Sequence, residues 1–153
     1  MKRLALGMLA ASSLVCALAQ ANEALDGTLK KVAERGTITL GYRDASVPFS
    51  YLGDNSGQPM GYSVDLAGKV VERIRQKLGK PDLKVKYNLV TSQTRIPLVQ
   101  NGTVDLECGS TGVTAERMKQ VAFSYGFIYV KGQLLTAKDG GIQASPTSRA
   151  RTW

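Results

Sequence analysis

Three arginines stand close to short hydroxyl residues: Arg43 near Ser46, Arg95 near Ser92, and Arg117 near Ser110 and Thr111. A guanidinium is a flat fork of N–H donors that stays charged and meets a carboxylate two bonds at a time. Three such forks together suit a guest with two carboxylates better than a guest with one. The third arginine ends an informative stretch, residues 104–117, which reads Val-Asp-Leu-Glu-Cys-Gly-Ser-Thr-Gly-Val-Thr-Ala-Glu-Arg. Apolar and acidic residues alternate from Val104 to Cys108, the period of a strand. Gly109 and Gly112 then break the chain around Ser110 and Thr111, exposing hydroxyls and backbone N–H groups. Thr114 follows as an N-cap for a helix running through Met118 and Val121. Arg117 falls in that helix's first turn, where a cation opposes the macrodipole by about 0.3–1 kcal/mol. Donors, hydroxyls and a cation converging at a strand's end make a receptor for a carboxylate or phosphate. The competing reading is an arginine lying in solvent beside ordinary turn residues.

Other chemistries are excluded by composition. The chain contains no histidine, which removes Ser-His-Asp and Cys-His nucleophiles and His ligands for zinc. Neither a Gly-rich loop ending in Gly-Lys-Ser/Thr nor a Gly-x-Gly-x-x-Gly segment is present. The Gly109-Ser110-Thr111-Gly112 turn is one residue short of a Gly-x-Ser-x-Gly elbow. Glu107 is the only carboxylate near this edge, and strand alternation alone leaves its direction open. No cofactor, metal or catalytic residue is therefore assigned.

The elements that must present the arginines are regular. Thr28 can cap a helix from Leu29 to Arg35 that Gly36 ends, and Thr37–Tyr42 reads as a strand delivering Arg43 at its carboxyl end. Phe49–Leu52, a turn through Gly53–Gly57 and a return at Met60–Tyr62 follow. Ser63 caps the clearest helix, with Leu66, Val70, Ile74 and Leu78 in an apolar stripe widened by Ala67 and Val71, stopped at Gly79 and Pro81. Such a helix between strands is the crossover of a parallel sheet. Leu83–Val90 alternates as the next strand. It leads to Ser92 and Arg95 at the start of a short helix whose first turn holds Pro97 and whose stop is Asn101-Gly102. Ligands of an open parallel sheet sit outside the carboxyl ends of its strands, and each of these three strands delivers an arginine there.

The chain opens Met1-Lys2-Arg3, runs apolar from Leu4 to about Ala19 and reaches Ala19-Gln20-Ala21, the marks of a secretory signal peptide cleaved after Ala21, or else after Ala19. Removing residues 1–21 leaves 132 of the 153 residues and lowers the formal charge from +8 to +6, since Lys2 and Arg3 go with the leader. An exported product does not meet nucleic acid, and the residual positive charge suits an anionic small ligand or simple solubility. Cys16 is lost with the leader, which leaves Cys108 either missing a partner or buried as an inert thiol. After Lys138-Asp139-Gly140-Gly141 the apolar period stops, and residues 140–153 read as a disordered tail.

Several segments also carry a resemblance. Gly41–Tyr51, Gly61-Tyr-Ser63, Thr91-Ser-Gln-Thr-Arg-Ile-Pro-Leu-Val-Gln-Asn-Gly102 and Glu107-Cys-Gly-Ser-Thr111 with Glu116-Arg117 resemble the glutamate/aspartate-binding proteins of bacterial amino-acid ABC importers, within solute-binding protein family 3. The resemblance covers roughly Leu25 to Lys138. It implies an α/β fold, the first lobe of a type II periplasmic-binding protein, with a mostly parallel sheet flanked by helices, spanning residues 22–139. It implies that Arg117 and Ser110 hold a ligand's α-carboxylate, that Arg43, Ser92 and Arg95 hold its side-chain carboxylate, and that Thr111 contributes less. It implies a monomer in the periplasm with an acidic amino acid as ligand and an inner-membrane ABC permease as partner.

The family usually has a hydroxyl residue where Gly112 stands, so one contact is expected to be absent. The chain stops where the family crosses into its second lobe, which leads to the expectation of a truncated product with weak or no binding. Relatives have a later cysteine that would pair with Cys108. The same architecture occurs in cyclohexadienyl dehydratases, which need a placed acid or base, and in amino-acid sensor domains, which are normally tethered by a membrane helix. An importer's binding component is the expectation, with these two as alternatives.

Overall fold

Helix α1 (Gly27–Arg35) ends at Gly36, whose φ of 64° is left-handed and whose N–H closes the last turn on Val32 O. Glycine takes this conformation without a Cβ penalty. Asp26, not Thr28, occupies the N-cap. The computed structural model describes residues 25–53 and 57–130. The leader, the tips of the Gly53–Gly57 turn, the lobe limits at 22 and 139 and the tail lie outside the described residues.

Strand β1 (Thr37–Tyr42) is the centre of a three-stranded parallel sheet, order β5-β1-β6, with β5 at Lys84–Leu89 and β6 at Leu106–Glu107. Thr37 pairs with Lys84 and Tyr42 with Leu89 along β5, and Leu40 pairs with Leu106 and Gly41 with Glu107 along β6. The alternation from Val104 to Cys108 thus yields a strand of two residues, shorter than its pattern suggests. Val104 is buried and its N–H is spent on Leu98 O, while Asp105 N–H reaches Thr39 O. A second, antiparallel sheet is built from β2 (Ala45–Ser46), β3 (Ser50–Leu52) and β4 (Pro59–Met60). The β3–β4 return was legible; β2 lies in what reads as loop.

Helix α2 (Tyr62–Leu78) connects the two sheets. Its N-cap is Gly61, with φ of 119°, and Ser63 lies inside the first turn rather than capping it. The line buried deepest is Ser63, Ala67 and Val71, one residue along from the expected stripe; Val70 is 39% exposed. Small side chains on that line let the helix approach the sheet, while Ile74 and Leu78 pack at its margin. The core joins Val32 of α1, Ile38 and Leu40 of β1, Ala67 and Val71 of α2, and Leu83. Burying each large apolar side chain of this group contributes about 1.5–3 kcal/mol.

Helices α3 (Arg95–Gln100) and α4 (Ala115–Met118) are short, and α4 stops before the expected Val121. The chain divides into two compact units, the first ending at Val121. In the second, the described residues 122–130 contain no helix or strand.

Candidate functional site

Because β5, β1 and β6 run parallel, their carboxyl ends share one edge of the sheet. Arg43 directly follows β1, Arg95 opens the helix after β5, and Arg117 lies in the helix after β6. The backbone of Arg43 is fixed by Ser50, which has no exposed surface. Arg43 N–H donates to Ser50 Oγ at 2.8 Å, and that hydroxyl donates back to Arg43 O at 3.0 Å. The guanidinium then extends to Ser92, with Nη1 donating to Oγ at 3.1 Å.

Ser92 and Arg95 are presented by a turn that caps itself. Thr94 N–H donates to Thr91 Oγ1 at 3.1 Å and Thr91 N–H donates to Thr94 Oγ1 at 2.9 Å, the reciprocal logic of a capping box. Arg95 is only 6% exposed. Its Nη1 donates to Thr111 Oγ1 at 2.6 Å, and Thr111 Oγ1 donates to Glu107 Oε2 at 2.7 Å. Thr114 caps α4 as its sequence suggests, accepting from Arg117 N–H at 3.2 Å. Arg117 folds back so that Nη1 donates to Gly112 O at 2.7 Å. Ser110 is exposed at the turn between them. The buried Ser63 Oγ donates to Gly109 O at 3.1 Å and ties the start of α2 to that turn.

The electrostatics are unbalanced. Burial pulls the Arg95 guanidinium below the usual arginine range, Glu107 opposes that pull, and Arg117 and then Arg43 add repulsion. Arg117 and Arg43 thus both act on Arg95 across this edge, with Glu107 as the carboxylate that opposes them. Arg35 is ion-paired with Asp105 at 2.6 Å; Asp105 there also accepts from Thr39 N–H. Among the described residues, no carboxylate lies within ion-pair distance of the three edge arginines. Nε of Arg43 and Nε of Arg95 are buried without a hydrogen-bond partner. Among the described residues no cluster of three His, Cys, Asp or Glu side chains could hold a metal ion.

Arg43, Ser92, Arg95, Thr111 and Arg117 are therefore linked by hydrogen bonds or by mutual repulsion along one edge, with Ser110 in the adjoining turn. Sequence reasoning left the direction of Glu107 open, read Ser63 as a helix cap and gave Ser50 no role at this edge. Pairing register supplies the missing direction for Glu107: it stands opposite Gly41, on the side away from the Leu40–Leu106 pair that packs into the core. Two depressions on α2, about 360 Å³ lined by Glu72, Arg75, Gln76, Gly79 and Pro81 and about 470 Å³ lined by Val70, Arg73, Ile74, Gln76 and Lys77, contain none of these groups.

The model of a family described as bacterial extracellular solute-binding proteins, family 3, matches residues 38–148. The chain belongs to that family. It is 64% identical over 119 residues to the L-glutamate/L-aspartate-binding protein of Pseudomonas aeruginosa, a match covering 78% of this chain and 39% of that protein. It is 50% identical over 136 residues to the glutamate/aspartate import solute-binding protein of Escherichia coli, covering 87% of this chain and 45% of that one. The chain therefore spans about two fifths of the length of these curated relatives. Among solved structures, an arginine-bound form of domain 1 from TmArgBP superposes with a TM-score of 0.55 at 28% identity, covering 65% of this chain and 71% of that domain. The parallel sheet with its flanking helices is the periplasmic-binding-protein-like α/β fold expected for a first lobe. Both of these relatives of the family 3 chain are named as binding proteins, not enzymes.

Proposed function

We propose that this chain recognises an acidic amino acid, glutamate or aspartate, as the solute-binding component of an ABC importer, with residues 22–139 as the binding lobe. The supporting observation is the charge balance around the buried Arg95: Arg117 and Arg43 both repel its guanidinium, and Glu107 opposes them. An assembly of like charges around a 6%-exposed guanidinium is costly until an anion joins it. A dicarboxylate supplies the missing charge, and each charge-assisted bond to it is worth roughly 1.5–3 kcal/mol. In this reading Arg117 and Ser110 take one carboxylate and Arg43, Ser92 and Arg95 the other, with Thr111 between them. The names of the Pseudomonas and Escherichia relatives support the ligand class and the import role. The extracellular solute-binding family and the import named for the Escherichia relative support a location outside the cytoplasm, in the periplasm, and a permease as partner. That a single domain of TmArgBP carries bound arginine supports ligand capture by one lobe of this fold.

Isothermal titration calorimetry of the chain with L-glutamate, L-aspartate, L-glutamine and L-arginine tests the proposal. Saturable binding of the two acidic amino acids at a Kd of about 1 mM or tighter, near −4 kcal/mol, is expected. Arginine should give no saturable heat, and glutamine should bind measurably but more weakly than the acidic pair. Equal binding of all four, or binding of arginine alone, would rule the reading out.

A further inference from the structure

Building on that reading of the three arginines, we propose that Glu107 is a specificity-determining positioning residue: an internal counter-anion that competes with the guest through Thr111 and so sets how strongly the site prefers two carboxylates to one. Its placement follows from the sheet. Glu107 pairs with Gly41 across β1–β6, and a Cβ at position 41 would lie 3.3 Å from Glu107 Cγ. The glycine leaves the room that the glutamate stem fills, so the carboxylate is carried to the arginine edge instead of into the core.

The hydrogen bonds have a direction. Thr111 has one hydroxyl proton, and it goes to Glu107 Oε2 at 2.7 Å, while its oxygen accepts from Arg95 Nη1 at 2.6 Å. As long as Glu107 takes that proton, the Thr111 side chain has none to donate to a guest carboxylate. Glu107 also subtracts one unit of charge from a field of three. Both effects oppose anion capture, and the second acts in proportion to the guest's net charge. L-Glutamate carries a net charge of about −1 at neutral pH, whereas L-glutamine is a neutral zwitterion, so the charge of Glu107 weighs mainly on the former.

A competing role, in which Glu107 grips the guest's ammonium, fits the packing less well. Its Oε1 is buried, lacks a hydrogen-bond partner, and lies against Gly109 so closely that a Cβ there would come within 2.5 Å. That oxygen packs against the Gly109 backbone.

Calorimetry of the chain and its Glu107→Gln variant with L-glutamate and L-glutamine, at low and at raised salt, decides the matter, with circular dichroism as the check on folding. Neutralising Glu107 is expected to tighten L-glutamate binding by about tenfold at low salt, with L-glutamine changed by less than about twofold. The gain should shrink at raised salt. Glu107→Met, similar in length and also uncharged, should move the glutamate-to-glutamine ratio in the same direction, and it carries the test if the amide variant fails to fold. Equal changes for both ligands, or loss of both by a folded variant, overturns the inference while leaving the dicarboxylate site standing. If the unaltered chain binds neither L-glutamate nor malonate, the three-arginine site and this inference fall together.

Discussion

Arg95 Nη1 lies 2.6 Å from Thr111 Oγ1, and this bond joins the helix that follows β5 to the turn that follows β6. It spans the sheet edge across the end of β1, where Arg43 stands, so one contact helps hold the three arginine-bearing segments in register. The bond depends on a planar donor reaching out of a buried position, since Arg95 is only 6% exposed.

Replacing Arg95 by lysine keeps the charge and removes the fork. An ammonium cannot bond Thr111 and a carboxylate in one plane, so Arg95→Lys should weaken L-glutamate binding by about 10–100-fold. Calorimetry reads the loss, and thermal unfolding separates it from a failure of the fold. A variant with unaltered affinity would remove Arg95 from the proposed site.

Ser50 contributes through the backbone. Its hydroxyl accepts from Arg43 N–H and donates to Arg43 O while having no exposure of its own. Ser50→Ala strands both backbone groups, and a stability loss of about 1–3 kcal/mol is expected. Urea denaturation measures it. Because Arg43 loses its anchor, ligand affinity should fall as well, which a purely remote packing defect would not cause.

How much of this was readable beforehand follows from what kind of interaction fixed each feature. The two long helices, β1 and β5 are set by local periodicity and by Gly36 and Gly79, whose left-handed φ values end their helices. Each arginine was placed at the edge because a strand's end and the next helix's start are local signals. The direction of Glu107 was not readable, since it depends on β6 pairing with β1 in a register that puts it opposite Gly41. The same holds for Ser63. Locally it reads as a cap, but the bond to Gly109 O, which lies 46 residues further on, makes it a buried tie. Ser50 likewise looks like any strand serine until the chain brings Arg43 alongside it.

Gly61 is required by space as well as by conformation. Its φ of 119° is unfavourable for other residues, and a Cβ there would meet Phe49 O at 2.7 Å and Pro48 O at 2.8 Å. Those carbonyls already accept from Ser63 N–H and Tyr62 N–H, so the backbone cannot retreat without losing the start of α2. Gly61→Ala should cost about 2–4 kcal/mol by combining strain with steric overlap. Chemical denaturation should show a lower midpoint with an unchanged slope.

Cys108 is a free thiol among the described residues, and burial, reinforced by Glu107, pushes its pKa up to about 11 from the ordinary 9.0. The neutral form is therefore favoured in the folded state. Stability from this group is fully present below pH 9.0 and is lost as pH rises through about 11. At pH 8 alkylation by iodoacetamide should run about 100-fold slower than for an unhindered thiol, and it should accelerate toward pH 11. Rapid labelling at pH 8 in the folded chain would contradict the burial of this side chain.

Gly112 offers a gain of function. Its carbonyl holds Arg117 Nη1 at 2.7 Å, and a Cβ at this position would sit 3.9 Å from that nitrogen, an ordinary contact with no positive φ to strain. A side chain can therefore be added without displacing the arginine. A serine places a hydroxyl beside Arg117. If the guest's α-carboxylate lies against Arg117, that hydroxyl adds one hydrogen bond to it, worth about 1 kcal/mol or roughly fivefold in affinity. Gly112→Ser should tighten L-glutamate binding to that extent, and combining it with Arg117→Ala should abolish the gain, because the added hydroxyl acts on a carboxylate that Arg117 positions. Additive behaviour in that double-mutant cycle would mean the two residues serve different ligand groups, and Arg117 would lose its assignment to the α-carboxylate.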